Sequence, residues 1–357
     1  MRAPRPPIAV LAVALAAIAW TIGLAGHYTQ PARLDFVALY AGARLVATGR
    51  GSLVTDADAL LAIEREVQPA RTVLLNNPNL PALSGVLAPL GLLPYDAAFV
   101  VMLTLSALAL AAAALLMLPL TGYRGRGRLL LFVMLAPPSI IALVQGQTTP
   151  FVLLCLVASL RRDGFVSGLL LGAIALRPQL LPLLAVASLH DRARALGLLV
   201  ACAVVGLLSL AVAGPEGLAR YPERLAYAAA EVGLGEVSLP ALARRAGVEP
   251  LTALLGGALL TAAAVPFAFR RPAGSAVAAL VAAPHALLHD LVFAYPALVA
   301  ATSTAPAAWG LALAVVAGTL LQLAGVPAMQ LILPVLAIVA LRRHIVALRR
   351  HGEARAR

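Results

Sequence analysis

The sequence has no lysine, only two cysteines and two tryptophans, and few charges: 12% of its 357 residues are Asp, Glu, Lys or Arg. A soluble domain of this length covers its surface with about a quarter charged residues, so that class is excluded. Cys155 and Cys202 both fall inside apolar runs. That placement excludes a disulfide framework or a thiolate metal site and leaves them as small packing residues. No HExxH, CxxC, GxSxG or Walker sequence occurs, and no internal repeat is visible.

What the chain does have is apolar length: 62% of the residues are hydrophobic. They come in blocks such as Ala97–Leu118, Leu196–Ala213 and Leu251–Phe269, separated by short polar connectors. Blocks of roughly 17–25 residues match the hydrocarbon thickness of a bilayer at helical rise. They are apolar on every face, as lipid-immersed helices are. The alternating strands of a barrel are missing, so the expected fold is all-α, a polytopic transmembrane helical bundle.

The arginines orient this bundle, because basic residues resist translocation. Clusters stand at Arg2 and Arg5, at Arg124, Arg126 and Arg128, at Arg161–Arg162, at Arg192 and Arg194, at Arg270–Arg271, and in the tail from Arg342 to Arg357. Placing all of them in the cytoplasm requires about 12 crossings, some as short hairpins, with both termini inside. The expected layout is a single transmembrane domain over 1–341, outer loops at 26–81 and 214–250, and a basic cytoplasmic tail at 342–357. The inner face then holds 17 arginines and 3 acids, the outer face 10 and 12, together the 27 and 15 of the chain. Membrane topology thus accounts for the net charge of +12, and a nucleic-acid partner is not needed.

Polar residues gather in the connectors assigned to the outside. Asp35 precedes Phe36, Leu39, Tyr40 and Ala43, whose spacing describes one face of a helix lying on the membrane surface. Asp35 is either the cap of that helix or a reactive carboxylate. The proline-rich run from Asn77 to Pro94 reads as a broken or re-entrant segment. The turn Gln145-Gly146-Gln147-Thr148-Thr149-Pro150 offers amides to a sugar hydroxyl or to helix ends. Arg177-Pro178-Gln179 interrupts a segment bounded by cytoplasmic arginines on both sides, which makes it the apex of a hairpin. An arginine at membrane depth costs about 2.5–3.5 kcal/mol and calls for a partner. Its planar five-donor group suits phosphate; the alternative is a snorkelling side chain. The last outer turn carries His285 and His289-Asp290, a functional pair or one that only satisfies itself.

Taken in order, these residues resemble a family. Asp35-Phe-x-x-x-Tyr40-x-x-Ala43-Arg44-x-x-x-x-Gly49, Asn77-Pro78 with a run ending in Leu93-Pro94, Gly146-Gln147, Arg177-Pro178-Gln179, Ser238-Leu239 before Arg244, and His289-Asp290 look like glycosyltransferase family 87. The resemblance implies a GT-C-type membrane enzyme, in many members an α-mannosyltransferase using polyprenyl-phosphate mannose. On that footing Asp35 and His289 are the expected catalytic residues. Tyr40, Arg44, Gln147, Arg177, Gln179, His285 and Asp290 are the expected substrate contacts. The expected partners are a polyprenyl-phosphate sugar, a lipid or glycan acceptor, and membrane lipids. No cofactor or metal ligand is expected. The site belongs on the outer face of a multi-pass cell-membrane protein. Arg177 stands where lysine is also common in the family, and Asn79 replaces a proline often found there. A transporter or flippase of lipid-linked sugars is the competing class, and a purely structural membrane subunit the third.

Overall fold

The computed structural model describes residues 8–29, 35–75, 78–120, 125–230, 235–268, 272–301 and 305–338. Among these residues the fold is helical, and the one extended pairing is an isolated antiparallel bridge between Glu236 and Leu287. The chain opens with α1 (Ile8–Thr29), α2 (Phe36–Ala47), α3 (Ala57–Val67), the short α4 (Pro81–Gly91) and the long α5 (Tyr95–Met117). Next come α6 (Arg126–Leu135), α7 (Pro137–Val144), α8 (Thr149–Leu160), α9 (Gly164–Leu171) and α10 (Leu181–Ser188). The remainder is α11 (Arg192–Ala230), α12 (Leu239–Arg245), α13 (Pro250–Ala268), α14 (Pro272–Ala282), α15 (Tyr295–Ala301), α16 (Ala305–Leu323) and α17 (Ala328–Ile338). The all-α class expected from the sequence is what the chain adopts.

Local chemistry sets the helix ends. Prolines open α4, α7 and α14, where the missing N–H is no loss. Asp56 caps α3 by accepting from the Ala59 N–H at 2.9 Å, and Ser238 caps α12 through Ala241. Gly214, with φ 67°, breaks α11 immediately before Pro215.

Among the described residues four helices are long and apolar enough to cross a bilayer: Ile8–Thr29, Tyr95–Leu120, Arg192–Ala226 and Pro250–Ala268. The α6–α7 pair, bent by 43°, makes a fifth. The other apolar helices have 10–17 residues. At 1.5 Å per residue they fall short of the roughly 30 Å hydrocarbon core. The expected count of about twelve crossings would therefore need these helices to work in stacked pairs. Leu199, Leu207 and Leu259 lie open on the outside of α11 and α13, an apolar surface suited to lipid.

With lipid as apolar as leucine, close packing holds such a bundle together. The α9–α11 seam shows how. A Cβ on Gly168 would stand 2.0 Å from the Arg194 carbonyl oxygen, and one on Gly197 would stand 2.1 Å from that of Phe165. Only glycine permits that approach.

One local expectation changes. The sequence places α2 on the membrane surface, but every residue from Phe36 to Ala43 is buried. The reason is the end of α4 and the turn after it, whose carbonyls need donors and find them on α2. Tyr40 Oη donates to the Leu93 carbonyl at 2.8 Å and Arg44 Nη1 to that of Gly91 at 2.8 Å.

Candidate functional site

Four connectors that the arginine pattern assigns to one face converge in the structure: the start of α2, the α7–α8 turn, the break between α9 and α10, and the segment after α14. Asp35 sits at the head of α2, yet its side chain makes no cap bond. Instead Oδ2 accepts from Gln147 Nε2 at 2.6 Å. The other end of the same amide, Gln147 Oε1, accepts from Arg177 Nη2 at 2.7 Å. Arg177 Nη1 lies 3.6 Å from Asp290 Oδ1. One continuous polar chain, Asp35–Gln147–Arg177–Asp290, therefore links residues from four parts of the sequence.

The backbone accounts for each placement. Gly146 has φ 63°, and a Cβ there would stand 2.7 Å from Phe36 Cβ. This left-handed residue turns Gln145 and Gln147 toward the same centre, and Gln145 anchors α2 by accepting from the Phe36 N–H at 2.9 Å. Substituting alanine combines backbone strain with a clash, so Gly146→Ala should cost about 1–3 kcal/mol. A thermal melt of the purified variant checks this.

Arg177 lies between two 3-10 turns, Gly172–Leu176 and Pro178–Leu180. Pro178 lacks the N–H that would continue the helix, and the side chain points inward with only 6% of the residue exposed. Its Nη2 also lies 3.4 Å from Thr149 Oγ1. The guanidinium is thus held by protein partners and does not reach for the bilayer surface. Gln179 is half-buried on the neighbouring turn.

His289 and Asp290 are each 1% exposed. The sequence sets His289 and Asp290 side by side, and in the structure the imidazole makes its hydrogen bond with another residue. His289 Nδ1 pairs with Gln145 Oε1 at 3.0 Å, while Asp290 Oδ1 is 3.6 Å from Nε2. A carbonyl acceptor puts the proton on Nδ1, so neutral His289 presents Nε2 as an acceptor. Asp290 Oδ2 accepts from the Leu287 N–H at 3.0 Å, and its other oxygen faces Arg177. Gln145 is the partner that residue-by-residue reading missed; its position two residues before Gln147, across a glycine, was the available signal.

Asp35 keeps some surface open, but its carboxyl is closely surrounded. Burial pushes its pKa above the ordinary aspartate value, while the Gln147 bond and the Arg177 charge pull the other way. Arg177 Nε, His289 Nε2 and Asp290 Oδ1 have no hydrogen-bond partner among the described residues. Buried polar atoms normally have partners; here Asp290 Oδ1 stands 3.6 Å from both Arg177 Nη1 and His289 Nε2, so charge and not hydrogen bonding holds the cluster together.

The match to known proteins decides the class. A family model for glycosyltransferase family 87 fits residues 81–283, more than half of the chain. The chain belongs to glycosyltransferase family 87. This family-87 chain is therefore a membrane glycosyltransferase, as its motifs led us to expect. Gln147 and Arg177 lie inside the matched stretch, and Asp35, His285, His289 and Asp290 lie outside it. No curated protein and no solved structure matches the chain.

Two expected substrate contacts lie elsewhere in this family-87 fold. The polar ends of Tyr40 and Arg44 are engaged on carbonyls at the end of α4 and just beyond it. Removing the Tyr40 hydroxyl should therefore cost about 0.5–1.5 kcal/mol of stability and leave turnover within about twofold; melting and transfer assays on Tyr40→Phe test both. Asn77, part of the expected motif, lies outside the described residues. Among the described residues, no group of three or more His, Cys, Asp and Glu side chains could hold a metal ion.

Proposed function

We propose that this glycosyltransferase moves a sugar, mannose in the first instance, from a polyprenyl-phosphate donor to a lipid or glycan acceptor on the outer face of the cell membrane. The observation that carries the reading is the bridge from Asp35 through Gln147 to Arg177. It holds a basic carboxylate and a phosphate-binding cation one amide apart at the end of a helical bundle.

The step balances as a single displacement. The acceptor hydroxyl oxygen attacks the anomeric carbon while Asp35 takes the hydroxyl proton. The bond from that carbon to the phosphate oxygen breaks, and its electron pair leaves with the polyprenyl phosphate. Arg177 meets the negative charge growing on that oxygen, where preorganised donors have the most effect. One displacement inverts the anomeric centre. In this reading His289 Nε2 receives a hydroxyl of the acceptor, and Gln179 is the candidate for the donor sugar. The isoprenoid tail would remain among the apolar helices in the bilayer. In this scheme no resident cofactor takes part.

The test uses purified protein, radiolabelled polyprenyl-phosphate mannose and a lipid extract as acceptor. Label entering a new lipid with the native chain, and not with Asp35→Asn, supports both the reaction and the base. Comparable transfer by the variant removes Asp35 from that role. If no polyprenyl-linked sugar is transferred, the donor assignment fails, and transport of labelled lipid across vesicles becomes the measurement.

A further inference from the structure

The segment 235–238 is stitched to 285–288 beside the site. Val237 N–H donates to the Ala286 carbonyl at 2.8 Å, Leu288 N–H donates to that of Gly235 at 2.9 Å, and Glu236 bridges to Leu287. Glu236, at the centre of this stitch, is fully buried. Its Oε2 accepts from the Ala286 N–H at 3.1 Å, and its Oε1 pairs with His285 Nδ1. The backbone is fixed as firmly as the side chain. The Glu236 carbonyl accepts from Gln322 Nε2 at 3.0 Å on α16 and from Gln330 Nε2 at 2.5 Å on α17.

A stitch alone does not need a carboxylate. Glutamine would accept from Ala286 equally well, without the several kcal/mol that burying an ion costs. Among the described residues the basic partner of that carboxylate is His285, whose side chain is 21% exposed. Glu236 from the stitched segment touches that imidazole, and the charged or titratable groups within electrostatic reach of it are Asp35 from the head of α2, Arg177 from the α9–α10 break, and Asp290 and His289 from the following 3-10 turn.

We propose that Glu236 is a positioning residue that holds His285 as a fixed imidazolium on the segment leading into His289 and Asp290, giving the site a second cation, after Arg177, for the departing phosphate. This rests on the reading of the site as one of transfer from a phosphate-linked donor. Burial and Arg177 lower the His285 pKa, but Glu236 and Asp290 outweigh them and raise it overall. A cation held there also favours the ionised form of Asp35.

The test is E236Q, which keeps shape and the bond to Ala286 but removes the charge, read in two ways. The first needs no substrate: hydrogen–deuterium exchange at the His285 ring carbon, followed by mass spectrometry against pH. The native midpoint should lie above about 6.5, the ordinary histidine value, and that of E236Q at least one pH unit lower. The second is transfer from polyprenyl-phosphate mannose. In E236Q, kcat should fall about tenfold at pH 8 and recover at pH 6, with KM nearly unchanged. H285Q should show the loss at both pH values, and adding E236Q to it should change nothing further.

A native midpoint at or below 6.5 overturns the proposal even if E236Q does not fold. So does an unshifted midpoint in E236Q, or a loss of kcat equal at every pH, which is the mark of a merely structural stitch. Failure of the transfer reading is distinguishable. In that case the native chain transfers no sugar while the exchange midpoint still reports the Glu236–His285 pair, and the catalytic role falls with the reaction.

Discussion

Asp35→Asn is expected to lower kcat by about 10²–10⁴-fold, the usual range for loss of a general base, while raising the melting temperature at neutral pH. The two effects share a cause. The folded state holds a proton on Asp35 to higher pH than the unfolded chain does, because burial disfavours its charge. Stability therefore falls as pH rises through the window between the unfolded and folded pKa values, and above the folded value the penalty is fully present. Asparagine carries no charge to bury, and its side-chain oxygen can still accept from Gln147. Turnover runs the other way, since the base works only when ionised. The acid limb of kcat/KM should lie above the ordinary aspartate value of about 3.9. Calorimetry and a pH–rate profile on the native and variant proteins measure both effects. A variant that melts lower, or keeps most of its activity, would count against a carboxylate held ready at this position.

Arg177 should give the second large effect, and one that separates charge from geometry. Lysine there keeps the positive charge but not the planar fork. It cannot reproduce the contacts to Gln147, Thr149 and Asp290 that converge on one guanidinium. Arg177→Lys should therefore fold and lose about 10²–10³-fold in kcat, the scale for removing one donor from a developing oxyanion. Arg177→Gln should do worse. It leaves Asp290, 1% exposed, without its cation, and stranding half of a buried pair costs about 3–5 kcal/mol. Adding Asp290→Asn to Arg177→Gln should recover most of that stability and none of the turnover. Chemical denaturation and initial-rate assays on the four proteins distinguish the outcomes. Recovery of activity in the double variant would mean that the guanidinium serves only to neutralise Asp290.

Much of the site was legible before folding because charge in a membrane segment is rare and expensive. Arg177 and His289-Asp290 stand out against long apolar runs for that reason alone. The arginine clusters assign their connectors, and that of Asp35, to one face, and the structure brings them together. Other features gave weaker signals. Gln145 and Gln147 belong to a polar turn of a kind that caps many helices; the family motif singles out Gln147 as a substrate contact, and nothing singles out Gln145. Tyr40 and Arg44 share a motif with Asp35, but a helix turns successive residues to different sides. α2 sends Tyr40 and Arg44 toward the end of α4 and leaves Asp35 against Gln147. Glu236 looked like one more acid in a long polar loop.

The sequence by itself determined the membrane character and the helical class. These follow from local hydropathy and charge, which each segment expresses without reference to its neighbours. Only the tertiary structure decided which polar groups meet. Asp35 and Gln147 are 112 positions apart, and their bond depends on the left-handed turn at Gly146 and on α2 being drawn inward against α4. Hydrogen bonds are short and directional. No periodicity along the chain encodes a partner chosen by the packing of helices remote in sequence.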